Sequence, residues 1–202
     1  MKNLMNKLFK HTSSSLLAAV ALFSFIGITN TAVAGKHIIM PQFGKLDLDN
    51  SAQDKSRRFD TGASSFFGFE YEAHILEGIS LGGQYLNYRN KYTNPTDTYT
   101  SKSEIIFFNI KKYFTTSSPL SPFVGMGPGF ATVSTGEKTS LLSSDFDGQV
   151  FKAMAGIAYD VEHVGFYLEY NKIFGEVDGD NNDTINVDSS SFIGGVRVIF
   201  GK

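Results

Sequence analysis

The sequence predicts an all-β fold, an eight-stranded antiparallel up-and-down transmembrane β-barrel. Three observations predict it. The chain begins with a basic and then apolar segment that is typical of exported proteins. Segments of alternating apolar and polar residues then follow one another without a helical repeat. The connections between these segments alternate between long and short, as they do in barrels that cross a membrane.

The beginning of the chain has the layout of a secretory signal peptide. Three lysines precede the apolar run LLAAVALFSFIGI, and Ala32 and Ala34 then form a small-residue cleavage pattern. The apolar run has thirteen residues, whereas a transmembrane helix needs about 20. An uncleaved anchor is the alternative. We therefore predict a signal peptide over 1–34, cleavage before Gly35, and one barrel domain over 35–202.

Composition excludes several classes of function. The chain has no cysteine, which excludes a disulfide scaffold, a lipoprotein anchor, a thiolate metal site and a thiol nucleophile. The chain holds 18 basic and 20 acidic residues, and three of the lysines lie in the signal segment. The remaining domain therefore has a formal net charge of −5, which gives no indication of nucleic-acid binding.

Eight segments rich in Phe, Tyr, Ile, Val and Gly are predicted as strands. In order, they are residues 37–48, 62–73, 78–90, 103–114, 121–133, 148–160, 164–174 and 190–200. The alternation is clear in FGFEYE (67–72), GISLGGQY (78–85), IFFNIK (106–111), FKAMAGIAY (151–159) and VGFYLEY (164–170). Behind a signal peptide, we place the apolar row outside against lipid and the polar row in the lumen. Lipid cannot satisfy an open sheet edge, so the sheet must close.

The connections predict the orientation. The long ones are DNSAQDKSRRFDT, KYTNPTDTYTSK, STGEKTSLLSSDFDG and GEVDGDNNDTINVDSS, and the short ones are HILE, TSSPLS and EH. Short turns face the periplasm and long loops face outward in such barrels. The tyrosine- and threonine-rich second loop is the one we expect to contact a protein. The acidic stretch 176–188 resembles a short calcium loop but lacks the spacing of an EF-hand, and a solvated acidic loop is the alternative.

Charges on the inward rows predict a network that fills the lumen. An eight-stranded lumen is just wide enough to be filled by side chains, and buried charges must be paired. We expect Arg197 to pair with at least one glutamate of the predicted set. Glycines in FVGMGPGF either leave room for these side chains or form bends. The predicted set is Lys45, Glu70, Glu72, Lys111, Lys152, Glu169 and Arg197.

Three stretches, FFGFEYEAHILEGISLGGQY, SPFVGMGPGF and SFIGGVRVIF, resemble the small eight-stranded outer-membrane β-barrel family, which includes the membrane domain of outer membrane protein A and outer membrane protein X. The resemblance covers 35–202. It implies a bacterial outer-membrane location and contact with membrane lipid and lipopolysaccharide. It also implies a C-terminal signal for the barrel assembly machinery, formed here by Phe192, Val196, Val198 and Phe200. Family members usually end on the aromatic residue, whereas Gly201 and Lys202 follow it here.

The fold does not fix the function. Some eight-stranded barrels modify lipid A, which requires a histidine and a serine near the outer leaflet. We expect His37 at the start of the first strand and His74 and His163 in short turns, at the opposite end, and the domain has no His-x-Ser pair. We therefore predict a protein that is not an enzyme, with no catalytic, cofactor-binding or metal-binding residues.

The expected function is surface interaction through four external loops, either adhesion or envelope stability. The expected partners are a host or surface protein, with the barrel itself a monomer. Two alternatives stay open: a narrow channel or lateral-diffusion route for small hydrophobic solutes, and a lipid A-modifying enzyme.

Overall fold

The computed structural model describes residues 35–48, 60–61, 64–93, 98–114, 118–135, 145–179 and 184–201. The chain divides into two compact units, Met1–Val33 and Ala34–Lys202, and every described residue lies in the second. The predicted signal peptide and the centres of the four long connections therefore lie outside the described residues. In the described part of the chain, no helix is both long enough and apolar enough to span a membrane.

Eight long strands and two short ones make up the described domain. They are β1 (His37–Leu48), β2 (Asp60–Thr61), β3 (Ser64–Leu76), β4 (Ile79–Thr93), β5 (Thr98–Tyr113), β6 (Leu120–Thr135), β7 (Asp145–Val161), β8 (Val164–Gly179), β9 (Thr184–Asn186) and β10 (Ser189–Phe200). The long strands lie at the eight predicted places. Several extend further into the long connections than the sequence indicated, which leaves less of each connection as loop.

The eight long strands close into an antiparallel barrel, which confirms the predicted fold class. Each pairs with its neighbours along the chain, and β10 closes the circuit by pairing with both β8 and β1. The first and last strands meet with His37 opposite Phe200 and Leu48 opposite Ser189. The short β2 pairs with β4, and β9 folds back on β8. Closure satisfies the backbone groups that an open sheet would leave unpaired.

The outer face of the barrel is a belt of exposed aliphatic and aromatic side chains. Phe192 and Phe166 are 62% and 60% exposed, and their neighbours along the same rows are similar. A soluble monomer rarely exposes a contiguous apolar patch of more than a few hundred Å². The belt therefore fits a lipid environment, as the alternation within the strands predicted.

The interior consists of two layers, one charged and one apolar. We call the end with the turns at Glu77–Gly78 and Glu162–His163 the short-turn end. On β3, the inward row runs from Glu72 and Glu70 near that end to Phe66 further up. Strands β7 and β8 change in the same way, whereas β1 begins with the buried Ile38 and Met40, and β5 and β10 carry buried serines toward the long-connection end. The apolar layer comprises Leu46, Phe66, Leu86, Tyr88, Ile105, Ala131, Val133, Phe146, Val150, Ile173 and Val177, all buried. This layer was not predicted from the sequence.

Candidate functional site: the charged interior

Lys111 on β5 is the centre of the charged layer. Its Nζ atom lies 2.5 Å from Glu72 Oε1, 3.0 Å from Glu70 Oε2 and 3.3 Å from Glu169 Oε2. Strand β3 supplies two of these carboxylates and β8 supplies the third. All four side chains are at most 1% exposed. One ammonium group therefore binds three carboxylates from two other strands.

Neutral donors satisfy the remaining carboxylate oxygens. Glu70 accepts hydrogen bonds from Asn109 Nδ2 at 2.7 Å and from Gln42 Nε2 at 2.8 Å. Glu72 accepts one from the Tyr113 hydroxyl at 2.8 Å. These bonds offset the cost of removing the carboxylates from water, which is several kcal/mol for each ion, as an order of magnitude. The network therefore extends across the lumen through uncharged side chains as well.

Lys152 on β7 lies at the boundary between the two layers. Its ammonium group donates to Gln84 Oε1 and lies 3.9 Å from Glu169 Oε1. The same group lies 4.8 Å from the centroid of the Phe107 ring, within the range of a cation–π interaction. Glu169 also accepts a hydrogen bond from Asn171. Lys152 thus joins the charged layer to the aromatic residues above it.

Arg197 on β10 points into the lumen, as expected, but its expected pairing is wrong. It is 1% exposed, and its Nε donates to Asp160 Oδ1 at 2.8 Å. Its Nη1 donates to the Tyr113 hydroxyl at 3.0 Å. Asp160 also pairs with Lys36 at 2.7 Å. Among the described residues, no ion pair joins Arg197 to Glu70, Glu72 or Glu169. The reason is the position of the residues along the barrel axis. Asp160 is the last inward residue of β7, and it lies at the same level as Arg197 at the short-turn end.

Lys45 does not belong to the network, which corrects a second expectation. It is exposed on the outer row of β1 together with Phe43 and Asp47, while Gln42 and Leu46 point inward. The remaining members form a charge-balanced set of three acids and three bases, all nearly fully buried. They are Glu70, Glu72, Glu169, Lys111, Lys152 and Arg197.

Glycines on β6 leave room for this network. A Cβ atom at Gly125 would lie 2.9 Å from Lys111 Cγ, and one at Gly127 would lie 2.5 Å from Asn109 Oδ1. Real Cβ atoms do not approach other atoms so closely. The first of the two readings of FVGMGPGF is therefore the one that fits the geometry: small residues on β6 make space for long side chains on β5.

The three histidines of the barrel domain lie at the short-turn end. His37 begins β1, where its Nδ1 lies 2.8 Å from the Tyr71 hydroxyl. His163 lies in the turn between β7 and β8. His74 is part of strand β3 rather than of a turn, which corrects the sequence-based placement, and its ring stacks on Tyr113. The histidines therefore lie far along the strands from the long-connection end.

The acidic stretch 176–188 is also more ordered than expected. The end of β8 pairs with β9, and Thr184 donates to Asp178 at 3.0 Å. Among the described side chains, no group of three histidines or carboxylates is close enough to hold a metal ion. Residues 180–183 at the tip lie outside the described part.

The four residues of the predicted assembly signal all point outward on the last strand. They are exposed between 38% and 62%, and the inward row between them holds Ile193 and Arg197. The residues are Phe192, Val196, Val198 and Phe200.

Known protein-family profiles and characterised protein sequences give no match to this chain. Solved structures do match. The barrel of OprG, an outer membrane protein from Pseudomonas aeruginosa, matches with a TM-score of 0.63 at 15% identity, covering 83% of this chain and 97% of OprG. Neisserial surface protein A matches with a TM-score of 0.57 at 18% identity, covering 83% of this chain and 98% of that protein.

A third similar structure is Ail, the attachment invasion locus protein of Yersinia pestis, solved in complex with the heparin analogue sucrose octasulfate. It matches with a TM-score of 0.50 at 13% identity, covering 82% of this chain and 99% of Ail. At these identities the likeness concerns the fold. The chain therefore has the fold of the small outer-membrane β-barrels, as the resemblance implied.

Proposed function

We propose that this chain is a monomeric, non-enzymatic protein of a bacterial outer membrane that acts through its external loops. The observation that carries the proposal is the filled interior. In the described part of the barrel, the side chains of the charged layer and of the apolar layer point into the lumen and are almost completely buried. Because the inward side chains that the structure describes are packed against one another, surface interaction is the function that the geometry supports best.

The outer-membrane location is supported by the apolar belt and by the similar structures, which are outer-membrane or surface proteins. The predicted signal peptide would deliver the chain to the periplasm. There, the barrel assembly machinery would read the outward row of β10 that ends at Phe200. Membrane lipid and lipopolysaccharide would contact the belt.

Adhesion or envelope stability is the specific role proposed. Ail, by its name, is an attachment protein, and Neisserial surface protein A is a surface protein. In this chain, β4 and β5 extend to Thr93 and Thr98. The tyrosine- and threonine-rich connection is therefore paired backbone as far as Thr93 and Thr98, beyond the belt, and residues 94–97 lie outside the described part. A paired backbone beneath this tyrosine-rich sequence favours protein contact, because tyrosine gives a large contact area at a low entropy cost.

Two measurements test this proposal. Cells that produce the protein should adhere to epithelial monolayers more than cells that produce a variant with 136–144 and 94–97 replaced by short Gly-Ser turns. Purified wild-type protein in planar bilayers should show no large, steady conductance. Equal adhesion by both cell types, or a steady ion current, would contradict the proposal.

A route for hydrophobic solutes is the second candidate, and the apolar layer favours it. That layer lines the upper lumen, where an apolar solute would enter from outside. Cells with an intact outer membrane should then take up a hydrophobic substrate faster when they produce the protein. Our first proposal predicts no change in uptake. It likewise predicts that lipid A extracted from producing cells keeps its mass, since the histidines lie at the opposite end.

A further inference from the structure

Two cations face each other on the outer surface of strands β4 and β5. Arg89 and Lys102 are direct cross-strand partners, and both side chains are exposed. Side chains in this relation have Cβ atoms about 5 Å apart, and like charges so placed destabilise a sheet. An anion bound between the two members of such a pair would offset this repulsion.

A polar cluster below the pair fixes one of the two cations. Lys102 Nζ lies 2.9 Å from Glu104 Oε1, and Glu104 also accepts hydrogen bonds from the Tyr85 hydroxyl at 2.7 Å and from Asn87 Nδ2 at 3.3 Å. One carboxylate thus neutralises one of two cations. No hydrogen bond or ion pair joins Arg89 to another side chain within the described ranges. The cluster therefore keeps one uncompensated positive charge.

The pair lies where the apolar belt ends. On the outer rows of the same two strands, Tyr85 lies opposite Ile106, and Gly83 lies opposite the exposed Phe108. Moving toward the long-connection end, the rows change to Asn87 opposite Glu104 and then to the cation pair. In a membrane, this is the level at which the lipid headgroups replace the acyl chains.

The opposite side of the barrel has the reverse charge at the same end. On β7 and β8, Asp147 lies opposite Asp178, and both are exposed. The other exposed lysine described near the belt's upper edge, Lys45, has Ser65 and Phe192 as its cross-strand partners rather than a second cation. The potential that attracts an anion is therefore concentrated on β4 and β5.

We infer that Arg89 and Lys102 bind the phosphate-bearing headgroup of an outer-leaflet lipid, with its acyl chains along Tyr85, Ile106 and Phe108. An arginine fork and a lysine point charge are both suited to phosphate oxygens, and Tyr85 lies between the headgroup level and the acyl level. This inference rests on the proposed membrane orientation and adds a lipid site to it.

The test uses the purified full-length barrel in a non-ionic detergent, with binding measured by native mass spectrometry. The probes are lipid A with two phosphates, the same lipid after removal of its phosphates, and inorganic phosphate alone. The wild type should bind the phosphorylated lipid. Arg89→Gln combined with Lys102→Gln should weaken this binding roughly 20- to 30-fold, because each basic residue near a lipid surface contributes about fivefold.

The matched control is Lys45→Gln combined with Lys172→Gln. It removes two other positive charges from the outer rows of β1 and β8, and its affinity for the phosphorylated lipid should stay within about twofold of the wild type. Arg89→Lys keeps the charge and should keep most of the binding. Heat-modifiable gel mobility verifies that each variant is folded, and Arg89→Gln alone, with an expected loss of about fivefold, replaces the double variant if the latter does not fold.

Three results would overturn the inference. The control pair could lose as much affinity as the Arg89 and Lys102 pair, which would indicate a diffuse charge effect. The dephosphorylated lipid could bind as tightly, which would indicate contact with the acyl chains alone. Millimolar inorganic phosphate could displace the lipid completely, which would indicate a site for a free ion. Since the assay uses purified protein, its failure would leave the proposed adhesion untouched, and a negative adhesion result would leave this site untouched.

Discussion

Replacing Lys111 by methionine should destabilise the barrel strongly. The substitution keeps the length of the side chain and removes the single ammonium group that lies within 3.3 Å of three buried carboxylates. Removal of one partner of a buried ion pair costs about 3–5 kcal/mol, because the other charge is left uncompensated. Three acids share this cation, so we expect the free energy of unfolding to fall by about 5 kcal/mol.

Urea titration of the barrel in detergent measures this loss. The chain has no tryptophan, so the folded fraction is best followed by heat-modifiable gel mobility, and the midpoints give the difference in free energy at constant m. The control is Lys112→Met at the next residue. Lys112 is exposed on the outer row and reaches the carbonyl of Glu77 at the adjacent turn, 3.4 Å away. Its loss should cost at most about 1 kcal/mol.

A second substitution shows whether stranded charge is the cause. Without Lys111, Glu70 keeps two neutral donors, Asn109 and Gln42, whereas Glu169 still lies near Lys152. Adding Glu70→Gln to Lys111→Met should therefore recover part of the lost stability. The reasoning fails if Lys111→Met costs no more than Lys112→Met, or if Glu70→Gln in that background lowers stability further.

Three further predictions concern the rest of the barrel. Val198→Arg on the outer row should lower the free energy of unfolding, by roughly 2–4 kcal/mol near the bilayer midplane and by less toward an interface. In the same urea titration, this loss should be far larger than that of Phe59→Arg in the first external connection. Equal stability of the two variants would show that Val198 does not face lipid. Asp160→Asn should lower the free energy of unfolding by about 2–3 kcal/mol, because it leaves the buried Arg197 without its carboxylate partner. The Asp160 side chain is 19% exposed, so water offsets part of this loss. An unchanged urea midpoint would show that stability does not depend on this ion pair. Intact-mass analysis of the membrane-extracted protein should place its first residue at Gly35, and a mass that includes Met1 would disprove cleavage.

Alternation along the chain was sufficient to predict which residues point inward on most strands. Glu70 lies between Phe69 and Tyr71, so the polar row is evident, and the same holds for Lys152 and Glu169. Strand β1 is different because both of its rows are apolar near the start, with Ile38 and Met40 inward and Ile39 and Phe43 outward. The alternation along β1 therefore does not show which of its two rows points inward, and the prediction that Lys45 points into the lumen is wrong.

The pairing of Arg197 depends on heights that a single sequence does not contain. Neighbouring strands fix their vertical offset only through the ladder of hydrogen bonds, so the residue level with Arg197 could not be read from alternation. One signal was present: Asp160 lies on the same row of β7 as Lys152 and is therefore inward. The apolar layer is not evident from the sequence, because Leu86 and Ile105 lie on rows that are polar at Gln84 and Lys111.

The layered interior also determines how the barrel can close. A strand that slides by one residue exchanges its two faces, and lipid excludes that error. A slide of two residues keeps every side chain on its original face. An interior of uniform polarity would not disfavour such a register shift. Here it would move Lys111 or Glu169 away from the partners that lie on other strands, at the cost of an unpaired buried charge. The change from charged to apolar side chains along the lumen thus favours one offset between neighbouring strands. It thereby selects one shear number among those that an eight-stranded barrel could adopt.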